Sequence, residues 1–171
     1  MSPPALLALS ALGLALVLGG CSTAVGRVEN GVFISPKGYR VRLPSDGWRV
    51  EARSDADLEL KRNTPKLGML VNATCEGQEV DRPLPVLARH LTFGLQPRET
   101  VAQDVRDVNG RPAAHRVVRG RLDGVEVAVE AIVVKGSRCV HDFLYVAPTS
   151  EFESGRRDFD ALVDSFSEEP R

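Results

Sequence analysis

The sequence has almost no net charge, few cysteines and histidines, and no apolar run long enough to cross a bilayer. Its 22 basic side chains are matched by 23 acidic ones, for a net charge of −1. Domains that hold nucleic acid through bulk charge are strongly basic, so no nucleic-acid partner is expected. No cysteine belongs to a C-x-x-C pair, and the three histidines His90, His115 and His141 are scattered, so neither a metal nor another cofactor is expected. No glycine-rich loop links a strand to a helix, which removes the usual phosphate cradle. Ser137, His141 and Asp142 are close in sequence, but neighbouring strand residues point to opposite faces and cannot form a triad. Nothing singles out a pair of carboxylates for acid–base work. The chain is therefore expected not to be an enzyme.

Charge is also missing from the first twenty residues, which hold no Asp, Glu, Lys or Arg. Ala5 to Gly20 is an apolar run shorter than the ~20 residues of a spanning helix. It ends in Leu18-Gly19-Gly20-Cys21, which resembles the bacterial lipoprotein signal: a branched apolar residue, two small residues, then cysteine. That resemblance implies a signal peptide over 1–20, its removal, and a diacylglycerol on the Cys21 thiol. Several acyl chains, palmitate among them, would then anchor the chain in membrane lipid. Ser22, where Asp would favour inner-membrane retention, implies the outer membrane and a domain facing the periplasm. Residues 21–31 are small and polar and read as a lipidated tether.

With Cys21 set aside, Cys75 and Cys139 remain. An even pair in an oxidising compartment points to a disulfide, against the alternative of two buried thiols acting as small hydrophobes.

What the chain does hold is periodicity. Its 171 residues suit one secretion segment and one domain. Tyr39, Val41 and Leu43 alternate with Arg40 and Arg42, the pattern of a half-buried strand. Leu58–Leu60 and Leu67–Cys75 predict further strands. A helix is expected from Arg82 to about Leu95, capped by Asp81, with Leu84, Leu87, Ala88, Leu91 and Leu95 as its stripe and Val86 and Phe93 on a second covered side. A short segment covers Val105 to Val108. Ala113–Leu122, Val125–Val134 and Arg138–Ala147 read as a three-stranded meander, joined at Asp123-Gly124 and at Lys135-Gly136-Ser137. A last helix starts at Ser150 in a capping box with Glu153, its stripe being Phe152, Phe159, Leu162, Val163 and Phe166. The fold class is α+β: an antiparallel β-sheet ending in the meander and packed by two main α-helices.

Three stretches carry a family resemblance. YRVRLPSDGW at 39–48, VNGRPA at 108–113 and F-x-x-L-V-x-S-F at 159–166 resemble the PsbP-like superfamily, named for the extrinsic protein of photosystem II. The resemblance implies an α/β/α sandwich over residues 32–167, with a tail at 168–171. It also implies a mostly non-catalytic repertoire of accessory subunits, adaptors and envelope lipoproteins. The matching positions are fold-forming, so no functional residue carries over.

A two-residue turn at Asp123-Gly124 sets His115 opposite Ile132 and Arg121 opposite Glu126. Pairing Lys135 with Arg138 would put His141 opposite Ile132 as well, with the two histidines ~9–10 Å apart across one strand. His115, Arg119, Glu130, His141 and Tyr145 would share what reads as an outer sheet face. That face is either a binding surface or charge pairs packed beneath a helix. The expected function is a lipid-anchored, non-catalytic binding or assembly module for an envelope protein. The alternative is a small-ligand carrier or enzyme using that outer face.

Overall fold

The computed structural model describes residues 26–45, 47–77 and 81–169. The signal peptide, Cys21 and Ser22 lie outside the described residues. In chain order come β1 (Arg27–Glu29), β2 (Val32–Ser35), β3 (Tyr39–Arg42), β4 (Arg49–Val50), β5 (Leu58–Asn63) and β6 (Lys66–Thr74). Helix α1 (Leu84–His90) precedes β7 (Arg98–Val108), β8 (Arg111–Leu122), β9 (Val125–Lys135) and β10 (Val140–Pro148). Helix α2 (Phe152–Asp164) and β11 (Ser167–Glu168) complete the fold.

Two antiparallel sheets result. The larger has the order β4-β5-β6-β10-β9-β8-β7, the smaller β1-β2-β3-β11. Asn109-Gly110 and Asp123-Gly124 set the hairpins around β8; both residues of each pair have φ between 50° and 81°, as a two-residue turn twisted with its strands requires. β9 is apolar on both sides because both its faces are covered. Ala128, Ile132 and Val134 join Phe143, Tyr145, Phe159, Leu162 and Phe166 in the main core beneath α2. Val133 points the other way, to Leu87 and Ala88 of α1. Each fully buried Phe or Leu in these layers contributes ~1.5–3 kcal/mol.

The small sheet delivers Phe33, Tyr39 and Val41 to the main core. Tyr39 donates its hydroxyl to Asp57 at 3.0 Å, and the Trp48 indole donates to Asp158 of α2 at 2.9 Å. The aromatic ends of the YRVRLPSDGW stretch thus fasten loops to the body. Gly155 lets α2 lie close on the sheet: a Cβ there would stand 2.7 Å from the Tyr145 hydroxyl and 2.8 Å from Leu67 Cδ1. Cys75 and Cys139 are joined by a disulfide that links the ends of the neighbouring strands β6 and β10.

Several expectations are corrected. Arg27–Glu29, assigned to the tether by composition, pairs with β2, and Glu168, assigned to the tail, pairs with Tyr39. Helix α1 stops at His90, followed by turns to Gly94, and Pro83 rather than Asp81 occupies its N-cap. Its stripe still faces the sheet, whereas Phe93 is exposed beneath Arg98. A single turn of 3-10 helix over Thr149–Glu151 delays α2, so no Ser150–Glu153 box forms. The short segment at Val105–Val108 is the end of an eleven-residue strand.

Candidate functional site

Lys135 pairs with Val140, not Arg138, because Gly136 to Cys139 form a longer connection closed by Gly136 N–H donating to Cys139 O at 2.8 Å. A shift of two residues keeps every side chain on its face but moves His141 opposite Val134. His115 stands opposite Ile132, and Arg121 opposite Glu126. The face holding His115, Glu130, His141 and Tyr145 is not an outer one. It lies under α2, and these four side chains are at most 2% exposed. The apolar stripe of α2 explains this: burying it requires the face on which these polar residues also stand.

Within that layer the polar groups separate into distinct networks. The His115 Nε2 lies 2.7 Å from Glu130 Oε1, so it carries the proton and donates. Its Nδ1 is 2.7 Å from both Asp104 Oδ1 and an Arg106 Nη. From α2, Arg156 brings its Nε within 3.3 Å of Glu130 Oε2. Burial raises the Asp160 carboxyl above its ordinary range, Glu130 adds to the rise, and Arg156 and Arg106 oppose it. This network ties β7, β8, β9 and α2 together. Both imidazole nitrogens are engaged by charged partners.

His141 belongs to a second network. Its Nε2 lies 3.2 Å from Glu168 Oε1, and burial pushes the imidazole below its usual value against the pull of that carboxylate. Burial would raise Glu168, but the Ser137 N–H at 3.0 Å, His141 and Arg111 outweigh it and hold the carboxyl below its ordinary range. Tyr145 donates to Phe152 O at 2.8 Å, and burial pushes its hydroxyl up to about 12. Arg119 stands apart and exposed, lining a cavity of about 540 Å³ with Arg98, Arg121, Glu99 and Glu126. Three arginines face two glutamates there: Arg119 lies opposite Glu99, and Arg121 meets Glu126 at 3.0 Å.

The open surface is on the other face of the sheet. Helix α1 has seven residues, about 10 Å of helix, and lies against β8 and β9. Beyond it, Gly68, Val125, Val127, Val146 and Pro148 line a cavity of about 380 Å³. Lys61 and Lys66 stand at its rim, with Lys61 held by Glu59 at 2.8 Å. The walls are apolar, and Val125 is 54% exposed. Sequence reading did not single out this hollow. Its signal was present: Val125, Val127, Val129, Ala131 and Val133 are all apolar on one side of β9, about 27 Å of strand, and α1 with Leu95 covers them only as far as Val127. Among the described residues no helix is long and apolar enough to cross a membrane, and no cluster of metal-ligating side chains is present.

No family model and no curated protein matches the chain. Solved structures do. Cyanobacterial PsbP from Synechocystis aligns over 92% of this chain and 98% of its own, with TM-score 0.55 and 16% identity. LpqN of Mycobacterium tuberculosis, described as involved in cell envelope biogenesis, aligns over 78% of this chain and 86% of its own, with TM-score 0.57 and 15% identity. A Bacteroides thetaiotaomicron protein aligns over 82% of this chain with TM-score 0.61 and 8% identity, and the chain spans about half (49%) of its length. The fold is PsbP-like: α+β, with two antiparallel sheets and two α-helices among the described residues.

Proposed function

We propose that this PsbP-like chain is a non-catalytic binding module of the bacterial cell envelope, held to membrane lipid through Cys21 and presenting its apolar hollow to an envelope protein. The observation that carries the reading is the division of the molecule. His115 and His141 with their carboxylate partners are closed into networks under α2 or at the small sheet, while the hairpin end of the opposite sheet face opens a hollow whose walls are mainly apolar. An exposed apolar patch of this kind suits docking rather than chemistry.

The lipoprotein signal supports an envelope location on the periplasmic side, with Ser22 favouring the outer membrane. The Cys75–Cys139 bridge fits an oxidising compartment, and the envelope role of LpqN is in keeping with it. Anchoring supplies the mechanism: confinement to one surface raises the local concentration of the module near a membrane-bound partner.

The volume of the hollow favours one second reading. About 380 Å³ lies within the ~300–1,000 Å³ range of small-molecule sites, which suits a carrier for a small apolar ligand. One experiment separates the two. The full chain, with a photo-crosslinking residue replacing Val125 or Arg40, is expressed in a two-membrane bacterium with and without Cys21→Ser. The binding module is expected to form a protein adduct from position 125 only, and to leave the membrane fraction when Cys21 is replaced. Membrane partition unchanged by Cys21→Ser overturns the anchor, and turnover of a substrate by the purified chain overturns the non-catalytic reading. A co-purifying small molecule at position 125, without a protein adduct, selects the carrier.

A further inference from the structure

Among the described residues the outermost strand of the large sheet, β7, pairs with β8 alone. Of its eleven residues only Val108 is buried. Val105, at 67%, is the most exposed large apolar side chain among the described residues. Long open edges are usually blunted, because their free N–H and C=O groups template another strand. Here a register shift between Thr100 and Ala102 interrupts one end, and from Ala102 to Val108 the strand runs regularly.

The turn at Asn109-Gly110 fixes which backbone groups are free. A two-residue hairpin closes on a mutually bonded pair, here Val108 and Arg111. Bonding alternates along an antiparallel strand, so Ala102, Asp104 and Arg106 face β8 with Val108. Gln103, Val105 and Asp107 direct their N–H and C=O outwards.

We propose that β7 pairs antiparallel with β7 of a second copy of this chain, about a two-fold axis at Val105. In that register Val105 meets its own counterpart and Gln103 meets Asp107, with two backbone bonds at each such pair. Asp104 and Arg106 flank Val105 by one residue each. A strand turned end for end therefore sets each carboxylate opposite a guanidinium, twice, on the α2 side of the sheet. The other outward-bonding residues make poorer axes. An axis at Asp107 places two carboxylates face to face, and one at Gln103 sets Asp104 against Ala102 and Val105 against the irregular Val101.

On the α1 side the paired valines would sit beside a hollow of about 230 Å³ whose walls include Pro85, Ala88 and Ala114. The pairing spans Ala102 to Val108, about 24 Å of edge. Self-complementary charge is what selects a second copy over an unrelated extended peptide, which would carry no such pattern. This pairing does not depend on the hollow between β9 and β10, nor on Cys21.

The test is oxidative cross-linking of the full chain in its own membranes. Residues bonded across an antiparallel pair have Cα atoms ~5.5 Å apart, within disulfide reach. Val105→Cys is expected to double the mass on a non-reducing gel and to revert with reductant. Val125→Cys, exposed on the other hairpin, is expected to stay single. Mixing Asp104→Cys chains with Arg106→Cys chains is expected to give a cross-linked pair that neither gives alone. No Val105→Cys dimer, equal cross-linking at position 125, or a Val105→Cys adduct with a different protein overturns the proposal.

Discussion

Replacing Asp142 with Asn is expected to stabilise the fold near neutral pH and far less near pH 4. Asp142 lies on the α1 side of β10, between Val140 and Leu144 along the strand and opposite Asn72 and Val133. No cation lies within ion-pairing distance of it among the described residues, and burial pushes its carboxyl from an ordinary 3.8 to about 6. An unfolded chain therefore ionises this group from about pH 4, while the folded chain holds its proton until about 6. Across that window the unfolded state has fewer protons bound, so stability falls as pH rises. Above about 6 the loss is complete. Two pKa units at 1.36 kcal/mol each make it about 3 kcal/mol. An amide of the same shape carries no such charge. The gap between variant and parent is expected to grow from about 0.5 kcal/mol at pH 4 to about 3 kcal/mol at pH 7, the latter roughly 6–12 °C in melting temperature for a domain of this size. Urea melts of both chains from pH 4 to 8 measure it. Parallel pH profiles, or a variant less stable at pH 7, would refute desolvation as the cause. Glu168 titrates in the opposite sense in both chains and cancels in the difference.

Two further outcomes follow from the packing under α2. Glu130→Ala removes the acceptor of His115 Nε2 and the partner of Arg156, and is expected to cost ~3 kcal/mol in urea melts, whereas Glu130→Gln keeps an acceptor and should cost clearly less. Gly155→Ala drives a methyl into the Tyr145 hydroxyl and Leu67, and is expected to cost ~1–3 kcal/mol despite the better helix propensity of Ala; a more stable variant would mean that α2 has room to shift.

The strands that the sequence announces are those with one wet and one dry side, or with two dry sides bounded by turns. Tyr39-Arg40-Val41-Arg42 alternates because Tyr39 and Val41 are buried and the two arginines are exposed. β8 and β9 are marked by the Asp-Gly turn between them, and that turn also fixed the His115–Ile132 register. β7 is nearly silent in sequence because exposure on both sides leaves no alternation to read. β11 is two residues long and exists only because Tyr39 and Arg40 present an edge to it. At the candidate site, the face shared by His115, Glu130, His141 and Tyr145 was legible from parity. That it lies under α2 was not, since a sheet pattern does not say which side a distant helix will choose. Arg156 could join Glu130 only through that choice. The apolar hollow went unseen for a related reason: continuous apolar character tells that both faces of β9 are dry, not that the cover over one of them, α1 and Leu95, stops short of Val125 at the hairpin end.

The position of Arg27 as the first paired residue has a consequence for geography. With lipid on Cys21, the leash would be residues 22–26, which at full stretch reach about 20 Å. The body would ride almost on the headgroups of the leaflet that holds it. It could patrol that leaflet widely but could not stray from it, so anything it engages must dwell there or be carried to it.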